Sequence, residues 1–267
     1  FGRITSINTR LISTSLDFIM KISVAIPTYI KDEKDLSYFK LSLDSIVKQS
    51  FTDYEVVVSD NSKNDLAEIL CKTYEDKFNV VYKKNLEYIG MSANSNFVMD
   101  LCRGEYIKIL HCDDLLFSQD ALKIIVDSLD NSDKYWLVNS FNHTYDSVNY
   151  FDTRIPQYPE HLLVGNNLLG CPTNVTIRNK DIEYFDTNVS LSMDHEWYHR
   201  LRIKHGVPLI INDVLTTGRQ HPNNATSKIN YDIIIEGDGT SWQFIQSELE
   251  YLQKKYKDFF DSWEYPE

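Results

Sequence analysis

An α/β fold, a largely parallel sheet with helices on both faces, is what this sequence predicts, and three observations carry the prediction. Apolar runs of strand length alternate with stretches of helical spacing four times between Ile22 and Leu110. Crossovers of that length and type join parallel neighbours rather than hairpins. The 267 residues, 42% hydrophobic and 25% charged, supply one sizeable core, and no apolar run approaches membrane-spanning length.

The elements follow in order. Ile22 to Ile26 is apolar but for Ser23 and reads as a buried strand. Leu36 to Gln49 carries Phe39, Leu43, Ile46 and Val47 at helical spacing. Tyr54 to Ser59 is the second strand, Asp65 to Glu75 a helix, and Asn79 to Tyr82 the third strand. Ser92 to Cys102 gathers Phe97, Val98 and Leu101 on one side of a helix, Gly104 stops it, and Tyr106 to Leu110 is the fourth strand. After Asn131 the rhythm changes. Tyr135 to Tyr150 reads as an aromatic-rich hairpin or meander, Pro172 to Arg178 as a short strand, Asp194 to His205 as a helix stopped by Gly206, and Val207 to Ile211 as a strand. Ser241 to Phe260 is an amphipathic helix whose charges, Glu248, Glu250, Lys254 and Lys255, read as a solvated face.

The organisation expected is one domain over residues 20–240, divided at 130/131, followed by a C-terminal helix in 241–267. Residues 1–19 open without a methionine, and Met20 stands directly before the first strand. They read as a leader outside the native fold, with a piece of a longer chain as the alternative. With 39 acidic against 27 basic residues the formal charge is −12, which repels phosphate backbones and argues against nucleic acid as partner. Cys71, Cys102, Cys112 and Cys171 form no C-x-x-C pair, so neither a disulfide framework nor a cysteine zinc site is indicated, and reduced thiols in a cytoplasmic compartment are expected.

Ligands of parallel sheets bind at the carboxyl ends of the strands. The first strand is followed there by Pro27-Thr28-Tyr29, the second by Asp60-Asn61-Ser62, and the fourth by His111-Cys112-Asp113-Asp114. Adjacent carboxylates repel unless a cation or ligand hydroxyls share their charge. Hard oxygen donors then suggest Mg²⁺ or Mn²⁺, and so a phosphate-bearing substrate. Helix capping is the plain alternative for Asp114, but it explains only one of the two carboxylates.

These segments resemble family 2 glycosyltransferases of the GT-A fold, from Lys21 to about Thr226. The resemblance rests on SVAIPTY, VVVSDNS, GMSANSN at Gly90–Asn96, ILHCDD, GCPTNVTIR at Gly170–Arg178, SMDHEW at Ser192–Trp197 and GRQHPNN at Gly218–Asn224, in that order. It implies a Rossmann-like, mostly parallel sheet with a mixed acceptor-side second half. It further implies that Pro27, Thr28 and Tyr29 line a nucleotide pocket, with Asp60 accepting a hydrogen bond from the base and Asn94 or Asn96 beside it. Asp113 would meet ribose or metal-bound water, Asp114 would hold Mn²⁺ or Mg²⁺ on the diphosphate, and Arg219 and His221 would belong to a loop closing over it, His221 as a further metal ligand. Asp194 matches the general base. The family's usual aspartate two positions before the metal ligand is Cys112 here.

The implied reaction is inverting transfer from a nucleoside-diphosphate sugar, a UDP-sugar foremost, to a hydroxyl of a glycan or lipid-linked acceptor. Metal and base on separate carboxylates suit it, because an oxocarbenium-like centre forms while a diphosphate leaves. Location at the inner face of a membrane, peripheral association with it and a homo-oligomer all stay open. Plain roles compete at each position: Asp60 as turn former, Asp194 as helix cap, His221 as loop histidine. A GT-A-shaped binding module without turnover is the rival reading that Cys112 raises.

His195-Glu196-Trp197-Tyr198-His199 also spells the zinc-protease motif, and His205 stands where an extended form has its third ligand. Arg202 occupies the position where that form needs a turning glycine, and no methionine follows Met193. Met193, Trp197 and Leu201 make the buried face, leaving both histidines on the polar side as a solvated surface.

Overall fold

β1 (Met20–Thr28) runs between two parallel neighbours. On one side it pairs with β2 (Tyr54–Asp60), from Ile22 opposite Tyr54 to Thr28 opposite Asp60, and β2 pairs in parallel with β3 (Asn79–Lys84). On the other side it pairs with β4 (Gly104–Ile109), from Met20 opposite Gly104 to Ala25 opposite Ile109. A Cβ on Gly104 would stand 2.5 Å from the Ser23 nitrogen, so only glycine lets β4 start this close to β1. The computed structural model describes residues 20–159, 162–164, 167–222, 224 and 240–262. The expected leader, 1–19, lies outside the described residues.

Helices fill the crossovers as the spacing predicts: α1 (Glu33–Val47), α2 (Leu66–Lys72) and α3 (Met91–Leu101). Asp32 caps α1, accepting from the Lys34 and Asp35 backbone N–H groups. Beyond β4 come a two-residue strand, β5 (Leu115–Leu116), which the sequence reading missed, and α4 (Ala121–Asp130). Asp114 therefore precedes a strand and caps nothing.

The second half completes the same sheet. β6 (Trp136–Thr144) and β7 (Tyr150–Arg154) form the expected aromatic hairpin. β8 (Val175–Arg178) inserts antiparallel between β4 and β6. α5 (Met193–His205) leads to β9 (Leu209–Arg219), which runs eight residues past the expected end at Ile211. β9 pairs in parallel with β6 and antiparallel with β5, giving nine strands in the order β3-β2-β1-β4-β8-β6-β9-β5 with β7 on β6. α6 (Thr240–Lys255) and α7 (Lys257–Ser262) follow.

Strand alternation sorts the core into two layers. Ile22, Val24 and Ile26 meet Phe39, Leu43 and Ile46 of α1 and Ile125 and Leu129 of α4. Ala25, Val57 and Ile107 face the other way, onto Val98 and Met99 of α3 and Trp197 and Leu201 of α5. Met193, Trp197 and Leu201 are buried as the spacing predicts. Among the described residues no helix is long and apolar enough to cross a membrane.

Candidate active site

β1 has β2 on one flank and β4 on the other, so the chain splays apart at their carboxyl ends and leaves a crevice there. A cleft of about 1230 Å³ opens at this point, walled also by α5, the 167–172 loop and the end of β9. Of the expected residues, Pro27, Thr28, Tyr29, Asn94, Asp113, Asp114, Asp194, Arg219 and His221 all line it.

Asp60 and Asn96 do not. Asp60 is fully buried and its two oxygens accept from the Ser62 N–H and Oγ, the Tyr82 Oη at 2.6 Å and the Lys84 Nζ at 3.1 Å. Four donors saturate a carboxylate. The expected role of Asp60, accepting a hydrogen bond from a base, does not fit this burial, and Asn61 comes to the cleft wall in its stead. Asn96 is tied to the Phe185 backbone, donating to its carbonyl at 2.8 Å and accepting from its N–H at 2.7 Å. Asn94 keeps its expected neighbourhood: its Oδ1 accepts from Ser59 Oγ at 2.6 Å and its Nδ2 donates to the Thr28 and Ser59 carbonyls. At the mouth, Tyr29 and Tyr88 meet edge to face at 5.4 Å with the Lys31 ammonium over Tyr29. Lys31 and Asp35 line the cleft as well.

The two acidic neighbours behave differently. Asp113 Oδ2 meets the His221 Nε2 at 3.0 Å, and its backbone carbonyl accepts from Arg219 Nε at 2.9 Å. Burial alone would raise its carboxyl, but the His221 hydrogen bond and the two imidazoles, His111 and His221, outweigh burial and hold it low. Asp114 is buried, and accepts from the Thr173 hydroxyl and from the Arg219 backbone N–H at 2.9 Å. Burial, then the Asp113 charge beside it, push Asp114 up to about 6. Such a carboxylate gains from a cation.

The donor atoms around it are not the pair of carboxylates that the sequence suggested. Asp114, His111 and Cys171 each bring one ligand atom within 4.8 Å of the other two, the one such group of three among the described residues. His221 stays with Asp113 and packs tilted against Tyr38, ring centroids 4.8 Å apart. Cys112 packs against the core layer of α1. The donor set, one oxygen, one nitrogen and one sulfur, fits a divalent cation.

Asp194 stands in the first turn of α5. Its Oδ2 accepts from Asn167 Nδ2 at 2.8 Å and its Oδ1 from the His195 N–H at 2.9 Å. The same Asn167 amide donates to the Gly170 carbonyl at 3.0 Å, which also accepts from Tyr198. Gly170 has φ +80, and a Cβ there would meet Phe141 at 2.7 Å, so a glycine holds this support in shape. Asn167, Cys171, Thr173 and Tyr38 are the participants sequence reasoning missed. Only GCPTN gave a signal for two of them, and it assigned no role.

The protease motif dissolves. Glu196 is fully buried and its carboxylate takes Arg200, Lys255 Nζ at 2.6 Å and Tyr256 Oη at 2.6 Å. His199 lies edge-on to Tyr256 and Phe259, and His205 stacks flat on Tyr135. The face expected to be solvated is instead covered by α6 and α7. Their charges are used internally too: Glu248 is buried and accepts from the Ser190, Leu191 and Ser192 N–H groups.

An uncharacterized glycosyltransferase of Rickettsia typhi is 25% identical over 222 residues, 77% of this chain and 66% of its own length. A poly(ribitol-phosphate) beta-glucosyltransferase of Bacillus spizizenii is 26% identical over 212 residues, 68% of this chain and 32% of its own. The chain thus spans from 32% to 66% of the length of these relatives. Among solved structures, residues 1–349 of S. aureus TarS in complex with UDP-GlcNAc superpose with a TM-score of 0.62 at 19% identity, over 78% of this chain and 61% of that one, which shows the GT-A fold. The family model described as glycosyl transferase family 2 matches residues 23–185, from β1 through all three strand-end clusters to the loop before α5, and the chain belongs to that family.

Proposed function

We propose that this domain transfers a glycosyl group from a nucleoside-diphosphate sugar to an acceptor hydroxyl with inversion at the anomeric carbon. The observation that carries the reading is that one cleft holds two separate carboxylate stations, Asp113-Asp114 at the end of β4 and Asp194 on α5. A UDP-sugar is the favoured donor, in keeping with the UDP-GlcNAc of the TarS complex, and a polysaccharide or lipid-linked saccharide the favoured acceptor, in keeping with the poly(ribitol-phosphate) named for the Bacillus relative.

Tyr29 and Tyr88 offer rings to the base, and Asp60 acts from behind by fixing the loop that carries Asn61. Asp114, with His111 and Cys171 in reach, would hold a divalent ion, which when bound offsets charge on the diphosphate. Arg219, packed over Tyr38 at 4.6 Å, brings a guanidinium to the same side. Asp194 takes the proton of the acceptor hydroxyl as its oxygen bonds to the anomeric carbon and the bond to the diphosphate breaks. Attack opposite the leaving group inverts the configuration, and no covalent enzyme intermediate is needed.

The test combines binding and stereochemistry. A panel of nucleoside diphosphates with and without Mn²⁺ is expected to yield cation-dependent binding that Asp114→Ala abolishes. Transfer followed by NMR is expected to give a glycoside of anomeric configuration opposite to that of the donor. Retention of configuration, or unchanged cation-dependent affinity in Asp114→Ala, would refute the assignment. Nucleotide binding without turnover on any acceptor would favour the binding module.

A further inference from the structure

The ligand atoms beside Asp114 are unusual for a cation that must share a diphosphate. Asp113 Oδ2 is engaged by His221, and Cys112, at the cleft edge, packs against the core layer of α1, while Asp114 is grouped with one imidazole and one thiol. Asp114 Oδ2 stands 3.8 Å from Cys171 Sγ and 3.9 Å from His111 Nδ1. Around a four-coordinate ion with bonds of about 2.0–2.3 Å, neighbouring ligand atoms stand roughly 3.3–3.8 Å apart. Shifts of a few tenths of an ångström bring Asp114 Oδ2 within that spacing of both partners.

The surroundings hold these atoms in place. Thr173 Oγ1 donates to Asp114 Oδ2 and accepts from the His111 N–H at 3.1 Å, tying the β4 end to the turn that follows Cys171. Lys108, fully buried beneath, donates to the Thr173 carbonyl and to Asn139 Oδ1. All three ligand residues open onto the cleft, so positions remain for a ligand's oxygens, as in a catalytic rather than a closed structural site.

We propose that Cys171, His111 and Asp114 form a mixed sulfur, nitrogen and oxygen site that selects a thiophilic divalent ion, Zn²⁺, Co²⁺ or Cd²⁺, over Mg²⁺. Thiolate and imidazole favour these ions by softness and by the general order of divalent affinities, whereas Mg²⁺ prefers six oxygens. The thiol proton leaves to solvent as the sulfur–metal bond forms. Zn²⁺ or Cd²⁺ thereby competes for the position that the preceding section gives to the cation of the transferase, and the inference rests on that reading only for what the ion does, not for its binding.

Chelator-treated protein is titrated with Co²⁺ and Cd²⁺ while thiolate-to-metal charge-transfer absorption is followed, and with Mg²⁺ and Mn²⁺ as competitors. The expected result is a 1:1 thiolate band, retained in Cys112→Ser, lost in Cys171→Ser, weakened on the order of tenfold or more in His111→Ala, and resistant to a hundredfold excess of Mg²⁺. A band that survives Cys171→Ser, binding with no thiolate band in the parent protein, or displacement by equimolar Mg²⁺ would each overturn it. The parent titrations decide the matter even if a variant fails to fold. Sugar transfer supported by Mn²⁺ with no thiolate band would end this proposal and leave the transferase standing. A thiolate band with no nucleoside diphosphate binding under any ion supports this proposal and ends the transferase reading.

Discussion

Two buried or half-buried side chains show how residue chemistry is set by surroundings. Asp194 has both oxygens held, by Asn167 and by the His195 N–H, yet it lines the cleft. A base acts on the acceptor only in the transition state, so its loss appears in turnover rather than in donor binding. Asp194→Asn is expected to lower kcat on the order of a hundredfold or more while donor affinity stays within a few-fold. Steady-state kinetics with saturating acceptor checks this, and a normal kcat would count against the base. Lys108 is the opposite case, a fully buried amine whose ammonium burial pushes down to about 7, with Cys171 and Asp114 pulling weakly upward. The unfolded chain holds that proton up to about 10.5, so between pH 7 and 10.5 it binds more protons than the folded one. Stability from this group therefore rises with pH across that window. Lys108→Met is expected to flatten the rise measured by denaturant unfolding; equal slopes in both proteins would refute it.

At the scale of elements, α6 is the least expected contributor. Its Glu248 carboxylate receives three consecutive N–H groups at the start of α5, where the helix dipole also favours negative charge. Lys255 reaches Asp186 and Glu196 at 2.6 Å each, clamping the other side of the same helix. Since Ser190, Leu191 and Met193 line the cleft next to Asp194, this clamp bears on the site. Glu248→Ala leaves buried donors unpaired, at a cost of about 1–3 kcal/mol. The expected outcome is a lower melting temperature together with a fall in kcat larger than any change in donor KM, and partial rescue by Glu248→Gln, which keeps one acceptor oxygen. Wild-type stability and kinetics in Glu248→Ala would sink the idea.

For the whole molecule, the two halves of the chain share a single sheet through the β4–β8 pairing, and the cleft lies where they meet. A ligand bound there contacts both, so its binding stabilises them together. At one hundred times its dissociation constant a nucleotide stabilises the native state by about 2.7 kcal/mol. For a domain of this size that corresponds to a shift of roughly 5–10 °C in a single transition. Calorimetry with nucleoside diphosphate and cation checks it; a shift confined to one of two separate transitions would show that the halves unfold independently.

The amino-acid sequence by itself determined the alternation of strands and helices, the two-sided burial and the three polar clusters after β1, β2 and β4. These depend on local periodicity and on the rule that parallel strands end together. Sequence also supplied Asp113, Asp114, Asp194 and Arg219 as cleft residues. Only the tertiary structure decided which polar groups are free to act. Asp60 is consumed by four internal donors, Asn96 by Phe185, Glu196 by Arg200, Lys255 and Tyr256; Ser62 and Arg200 lie at local spacings, but Tyr82, Lys84, Phe185, Lys255 and Tyr256 stand 22 to 89 positions from their partners, where a linear pattern registers nothing. The same limit hid Cys171, Asn167 and Glu248, which stand 57, 27 and 58 positions from their partners Asp114, Asp194 and Ser190. Periodicity reports which face of an element is buried. What that face is buried against, and whether a charge there is already spent, depends on contacts between distant segments.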